Sequence, residues 1–399
     1  MKKIYLHKAK NQIARPNTIR DINKQIVLSY VRDRAPISRA EISRETALQR
    51  STISAIVEDL QLDGLVEETG TGDSTGGRKP TLLRLKTGTP AAIGVDLTPR
   101  KTTVALADLA GQILHRETFP TSADAAFMSA QIVKRVEKHA AENKKFNLEV
   151  GISVPGIADQ TSGNVLYVPF FDWSNWDICG QITRRTNLRA TVDNDANAVA
   201  LAELWFGEES NRRDRNFITV LVAEGIGTGI IFDGQVYRGD RGAAGEFGHM
   251  IVGENAPVEC SCGGRTCWEA HASEKSIRFR YKKKLKKQSS ENGDYHIEQL
   301  IKLAKEGDAE AVEVFKESAR FLGIGISNLI VGFSPQAIIV SGRIVKVWDL
   351  IKDEIGHLAG RSVRQELPKT IIRASSLGDS PTLTGALSLV LARKFASAN

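Results

Sequence analysis

GEFGHMIVGENAPVECSCGGRTCWEA, residues Gly245–Ala270, holds the spacing H-x10-C-x-C-x4-C and brings His249, Cys260, Cys262 and Cys267 within nineteen residues. Thiolate sulfur and imidazole nitrogen are zinc ligands, and four of them fill a tetrahedral site. With every position taken by protein there is no place for a water nucleophile, so the spacing predicts one structural Zn2+ per chain. That ion would staple a loop otherwise made of glycine and turn residues. The alternative is three scattered cysteines with two oxidised to a pair. It is disfavoured because the chain has only four cysteines and no secretory context. Cys179, far away in sequence, is expected to be an ordinary semi-buried thiol.

Working outward, the chain has 399 residues with 41% hydrophobic content, enough for two or three domains with their own cores. The start, MKKIYLHKAKNQIARP, is basic without an apolar segment, and no run approaches eighteen uncharged apolar residues. The expectation is a cytoplasmic protein with no membrane partner, where zinc thiolates stay reduced. The net charge of +7 is unevenly placed. Residues 1–90 hold 16 Lys and Arg against 10 Asp and Glu, whereas the remaining 309 hold 38 against 37. A basic terminal module on a neutral body is the electrostatic footprint of a nucleic-acid-binding domain. A second basic cluster, YKKKLKKQSSENGD at 281–294, reads as a solvated helix end and surface loop.

In the basic module Asn17 reads as the N-cap of a first helix whose Ile19, Ile22, Ile26, Val27 and Tyr30 share a face. Ser38, with Glu41 three residues on, reads as a capping box opening a second helix. After a turn at 47–49, RSTISAIVEDLQLDGLV places Ile53, Ile56, Val57 and Leu60 toward a core. Helix, turn, helix is followed by strand-like runs at 65–69 and 81–85 joined by GTGDSTGGRKP, which is a wing. The candidate DNA contacts are Ser38, Gln49, Arg50, Ser51, Thr52 and Ser54 around the recognition helix, with Arg78 and Lys79 at the wing tip.

From residue 92 the pattern becomes α/β, with strand-like AIGVDL, TTVALADL and GQILHRETFP, then helices alternating with GISVPGIA, FITVLVAEGIGTGIIFDG and QAIIVSGRI. VPGIAD (154–159), VDNDANAVALAE (192–203), EGIGTGIIFDGQVYRGDRGAAGEFGH (224–249) and CSCGGRTCWEAHAS (260–273) resemble the successive motifs of the ROK family of sugar kinases and sugar-responsive repressors. The likeness covers residues 90–399. With the winged module in front, the chain resembles the repressor branch, the xylose, N-acetylglucosamine and Mlc-type regulators. Thr266 departs from the glycine usual in the zinc run but is not a ligand position.

The resemblance implies an α/β fold: an N-terminal winged helix-turn-helix followed by a two-lobed actin-like, ribonuclease H-like ROK body. The boundaries expected are 1–86 for the winged domain, 87–193 with 378–399 for a smaller lobe, and 194–377 for a larger lobe with the zinc loop. It also implies that Asn194, Asp195, Glu246, His249 and Glu269 bind sugar hydroxyls, Asp195 standing at the kinases' general-base position. His249 would then serve zinc with one ring nitrogen and ligand with the other.

Kinases of the family carry D-x-G-G-T-K at the first hairpin, where this chain has Asp96-Leu97-Thr98-Pro99-Arg100-Lys101. Both glycines are gone, and proline has removed an amide N–H from the phosphate cradle. The second glycine run, 225–229, is intact and has a structural reason of its own as a tight turn between strands. The expectation is therefore a non-enzyme: a homodimer, or alternatively a tetramer, that reads a pseudo-palindromic operator on double-stranded DNA and is released by a sugar or sugar derivative. The alternative reading is an ATP-dependent sugar kinase with a DNA-binding extension. Aromatics of VPFFDWSNWDI (168–178) are expected to pack in the core rather than against sugar.

Overall fold

A computed structural model describes residues 16–72, 79–208, 214–286, 295–361 and 368–395. The chain forms two compact units, Met1–Thr89 with Ala392–Asn399, and Pro90–Leu391.

In the first unit, α1 is described over Pro16–Arg34. Asn17 therefore lies inside the helix and is not its cap. The buried face also differs from the expected one. Val27, Leu28 and Val31 are buried while Ile26 is 37% exposed, so the stripe is rotated toward the side that meets the rest of the module. The short strand β1 (Ile37–Ser38) leads into α2 (Arg39–Thr46) through the expected capping box: Ser38 Oγ accepts from the Glu41 amide, and the Glu41 carboxylate accepts from Ser38 N at 2.8 Å. Ala47 turns left-handed at φ 58°, and α3 (Arg50–Leu62) follows. Its Ile53, Ile56, Val57 and Leu60 are all buried, as their spacing predicts. Strands β2 (Val66–Thr71) and β3 (Thr81–Leu85) pair antiparallel, and β1 joins β3 on its other side. This is the winged arrangement. Arg78 and the glycines of the wing tip lie outside the described residues.

The second unit is built on two five-stranded sheets of the same topology. The first is ordered β11-β7-β4-β5-β6 from β4 (Pro90–Leu97), β5 (Lys101–Asp108), β6 (Ile113–Pro120), β7 (Val150–Val154) and β11 (Ala190–Asn194). The second is ordered β14-β13-β12-β15-β16 from β12 (Phe217–Val222), β13 (Ile226–Phe232), β14 (Gln235–Val236), β15 (Ala337–Gly342) and β16 (Ile371–Ala374). Each sheet starts as an antiparallel three-strand meander and is extended by two parallel strands that need crossovers. Strands β8 (Ile157–Asp159), β9 (Asn164–Val168) and β10 (Trp173–Trp176) form a small separate sheet.

Helices cover the faces. α4 (Ala125–Glu142) and α5 (Ile178–Thr186) pack Met128, Ile132, Val136, Ile178 and Ile182 on the first sheet. α6 (Asp195–Phe206) begins directly after β11. α7 (Trp268–Ala272), α8 (Glu274–Lys286), α9 (Ile297–Lys305), α10 (Ala309–Phe333) and α11 (Trp348–Gly360) belong to the second sheet's side. α12 (Pro381–Phe395) lies so close to the first sheet that a Cβ on Gly151 would fall 1.9 Å from the Ala386 carbonyl oxygen. Trp173 and Trp176 pack in the first core, each indole N–H satisfied, by the Ala123 carbonyl and by Ser129 Oγ. Cys179 is likewise buried.

The glycines at 225–229 have a reason other than the expected tight turn. Only Gly225 is in the turn between β12 and β13; Gly227 and Gly229 are inside β13, under α6. A Cβ on Gly227 would stand 2.8 Å from Ala196 Cβ, and one on Gly229 would stand 2.3 Å from the Ala196 carbonyl oxygen. Their absence of side chain lets the first turn of α6 sit directly on the second sheet.

Candidate functional site

Ligands of open α/β sheets bind outside the carboxyl ends of the strands, and in the second unit those ends converge. Asp96 ends β4, Pro155 and Gly156 follow β7, Asn194 ends β11, the Ala223–Gly225 turn follows β12, and Arg343 follows β15. They line one cavity of about 930 Å³, ample for a small polar ligand. Asn194, Asp195, Glu246, His249 and Glu269 all line it, so five residues from three sequence motifs share one cleft.

Asn194 is the N-cap of α6. Its Oδ1 accepts from the amides of Ala196 and Asn197, and its Nδ2 donates to the Gly156 carbonyl at 3.1 Å. One amide N–H is left for a ligand. Asp195, the next residue, has its carboxyl pushed up to about 7 by burial; the Ala196 amide pulls it back, and the charges of Asp96 and Glu246 add to the rise. Asp96 is buried and raised to about 6 for the same primary reason. Thr382 Oγ1 donates to its Oδ2 at 3.0 Å, while its Oδ1 has no hydrogen-bond partner among the described residues. Phe170 is exposed and lines the cleft together with Tyr167; of the VPFFDWSNWDI aromatics, Phe170 is the one the core reading missed.

Glu246 and His249 lie on one short 3-10 turn that Gly245 enters at φ 90°, a conformation a side chain would strain. His249 Nε2 faces Glu246 at 3.6 Å, whereas its Nδ1 faces Cys260 Sγ at 3.1 Å. The ring is thus divided between cleft and loop. In the loop, Cys262 Sγ lies 3.3 Å from Cys260 Sγ and 3.4 Å from Cys267 Sγ, and all four donor atoms fall within 4.8 Å of one another. Tetrahedral zinc with bonds of about 2.3 Å to sulfur sets thiolates roughly 3.8 Å apart, so the cluster fits a metal ion with small outward shifts. Hydrogen bonding from the Gly264 amide, foremost, draws the Cys262 thiol down to about 7, toward the thiolate a metal needs. Around the donors the loop closes through an Ile251–Cys267 bridge and the Val252 amide on the Thr266 carbonyl. Thr266 supplies its carbonyl to this closure. Glu269, on α7, accepts from the Ser261 amide and hydroxyl at 3.2 Å, fastening the loop to the cleft wall.

Opposite the sugar candidates, the cleft holds ion pairs that sequence reading did not assign. Arg278 binds Glu224 in a fork at 2.9 and 2.6 Å, and Arg343 joins buried Glu274 to Glu298. From the altered first hairpin, Arg100 Nε lies 3.2 Å from Glu224, and Lys346 pairs with Asp379 at 2.7 Å. The signal available was placement: Glu224 and Arg343 directly follow strand ends, but their partners lie 54 and 69 residues away.

In the first unit, Gln49, Arg50 and Ser51 are exposed at the start of α3, with Thr52 and Ser54 half-buried beside them. Lys79 is exposed at the base of the wing. Ser38 is withdrawn from the candidate DNA contacts. It is 3% exposed and its hydroxyl also donates to Glu41 at 2.7 Å, so the side chain is used up inside the capping box.

Among families of known proteins, the ROK family matches residues 92–393. The xylose repressor of Bacillus spizizenii is 31% identical over 384 residues, covering 95% of this chain and 97% of its own. A crystal structure of a ROK family transcriptional regulator, a homologue of the E. coli Mlc protein, superposes with a TM-score of 0.77 at 25% identity, over 95% of this chain and 97% of that one. A ROK glucokinase from Streptomyces griseus, in complex with glucose and AMPPNP, gives a TM-score of 0.67 at 28% identity, over 75% of this chain and 99% of that one.

Proposed function

The chain belongs to the ROK family, and from that premise we propose that it is a sugar-responsive transcriptional repressor of carbohydrate-utilisation genes. The carrying observation is that one chain joins a winged helix-turn-helix, with an exposed polar N-terminal edge on α3, to a cleft lined by carboxylates, an amide and an imidazole. Such groups donate and accept in the divergent directions that a polyol presents. Similarity to a repressor over 95% of the chain includes the winged unit, and the glucokinase likeness stops at 75%.

In this reading Asp195 and Glu246 accept from sugar hydroxyls, Asn194 offers its remaining N–H, and His249 presents Nε2 to the ligand. His249 Nδ1, Cys260, Cys262 and Cys267 would hold one zinc ion, which supplies a structural clamp on the cleft wall. The protein acts as a dimer on a pseudo-palindromic operator, and a sugar that prefers one conformation of the body lowers operator affinity. The far half of the cleft argues against phosphoryl transfer. Pro99 donates no N–H, and Arg100, Arg278, Arg343 and Lys346 already face carboxylates, so nucleotide phosphates would have to displace existing ion pairs.

A thermal-shift panel of monosaccharides, amino sugars and their phosphates identifies the ligand, since whatever binds the native state raises its stability. The stabilising sugar is then added to a gel shift on the DNA upstream of the protein's own gene, and the shifted band should weaken. Sugar-dependent ADP release that disappears in Asp195→Asn would put the kinase reading first.

A further inference from the structure

The cleft of the second unit lies between the strand ends of its two sheets, and some side chains reach from one side to the other. Arg100 does so from the β4–β5 hairpin of the first sheet. Its Nε meets Glu224 Oε1 at 3.2 Å, in the β12–β13 turn of the second sheet, and its Nη1 lies 3.0 Å from His296 Nδ1. A guanidinium only donates, so His296 Nδ1 accepts. His296 immediately precedes α9, whose Ile297, Leu300 and Ile301 pack in the second sheet's core.

Both ends of this bridge are pre-set. Glu224 is only 15% exposed and is gripped by the Arg278 fork, so it is already ordered before Arg100 arrives. On the other side, Pro99 fixes the hairpin backbone, and Thr98 Oγ1 donates to the Lys101 carbonyl at 2.7 Å, closing the turn that presents Arg100. A pair whose partners are held in place loses little side-chain entropy on forming. Lys346–Asp379 also spans the rim, but with Asp379 78% exposed it is weakly held.

We infer that Arg100 is a latch: by joining the first hairpin to Glu224 and His296 it favours the closed cleft without any nucleotide, and so sets how tightly a sugar is held by the opposite wall. Arg100 touches no sugar group; it is a positioning residue that acts through closure. A ligand that binds only the closed form has an apparent affinity reduced by the fraction of molecules that are closed. The latch raises that fraction. The part that concerns sugar rests on the sugar-binding reading above, whereas the latch itself does not.

The test compares wild type with Arg100→Met, Arg100→Lys and Lys346→Met in the full chain. Hydrogen–deuterium exchange without ligand should show faster exchange at Ala223–Gly225 and at the 98–101 hairpin in Arg100→Met, by about threefold or more, with Arg100→Lys intermediate and Lys346→Met unchanged. Unchanged exchange in Arg100→Met overturns the latch whether or not a sugar binds. Calorimetry with D-xylose and D-glucose then reads affinity. Arg100→Met should weaken a sugar that binds wild type by about three- to fivefold, with the ligand-free melting midpoint held. Added salt should weaken sugar binding in wild type and not in Arg100→Met, because the sugar is neutral and the ion pair is not. A weakening matched by an equal loss in Arg100→Lys together with a lowered midpoint would show damage to the hairpin and overturn the latch. If neither sugar binds wild type while the exchange contrast holds, the sugar reading fails for these ligands and the latch stands.

Discussion

At Asp195 two opposed effects meet. The first turn of α6 favours a negative charge, yet burial and the nearby Asp96 and Glu246 push the carboxyl up to about 7. The ordinary unfolded value is about 3.9. Between those limits the folded protein keeps a proton that the unfolded chain releases, so this group's contribution to stability falls as pH rises from about 4 to about 7 and is level above. Asp195→Asn removes the titration. It should be more stable than wild type at pH 8 by on the order of 2 to 4 kcal/mol, with the gap shrinking toward pH 4, as read by urea denaturation. The same change replaces a carboxylate acceptor with an amide that donates, so sugar response should be lost while operator affinity is held. Where the ionised form accepts from a sugar hydroxyl, sugar affinity in wild type should rise about tenfold per pH unit below 7 and flatten above. A flat affinity from pH 5.5 to 8 would remove Asp195 from that role. The sequence marked this position through its motif; its proton affinity depends on Asp96, 99 residues earlier, and on a strand packed over it, neither of which a local pattern contains.

Among the elements, the thiol-rich loop and the wing carry the sharpest consequences. The loop has its own small buried cluster of Ala256, Val258, Cys260, Cys267 and Ala270. Purified protein should contain about one zinc per chain by elemental analysis. Cys262→Ser should lose the metal and sugar response together, and it should lower the melting midpoint. A stable, zinc-free, sugar-responsive protein recovered from chelator treatment would refute the clamp. In the winged unit, substituting Arg78 and Lys79 together should reduce the slope of log affinity against log salt by up to about two per protomer, at about 0.9 per phosphate contact, without changing base preference. Changes at Ser51 or Thr52 should alter which operator positions matter. Gel shifts across a salt series on parent and mutated operators separate these outcomes, and an unchanged slope in the double substitution would remove the wing from the interface.

Across the whole molecule, the repeated sheet topology gives two similar halves with a cleft between their strand ends, and the winged unit precedes them. On the proposed function, sugar response and DNA reading would reside in different compact units. Substitutions in the cleft should therefore change the sugar dependence of operator binding more than its sugar-free value. Wild-type protein should release no ADP above background with any sugar that stabilises it, as Pro99 and Arg100 occupy the hairpin where phosphates would lie. Analytical ultracentrifugation should give a dimer, alone and on operator DNA. No helix among the described residues is long and apolar enough to cross a membrane.

Features that depend on local spacing were legible in the chain alone. The capping box at Ser38, the buried stripe of α3, the alternation of strands and helices and the four metal donors all follow from contacts within a few turns or a short loop. The motif likeness also gathered the five cleft residues without geometry. Features that depend on packing between distant segments were not legible there. The face of α1 is set by the core it meets, so periodicity admitted two solutions and the wrong one looked equally good. Gly227 and Gly229 read as a turn because glycine is ambiguous until α6 is seen resting on them. Ser38 was read both as a cap and as a DNA contact, and its burial leaves only the cap. Thr98 and Pro99 showed that phosphate-cradling glycines were gone, but not that Arg100 beside them reaches Glu224 and His296, 124 and 196 residues away. An ion pair across a cleft leaves no periodic trace in sequence, because it is fixed by where two rigid sheets bring their strand ends together.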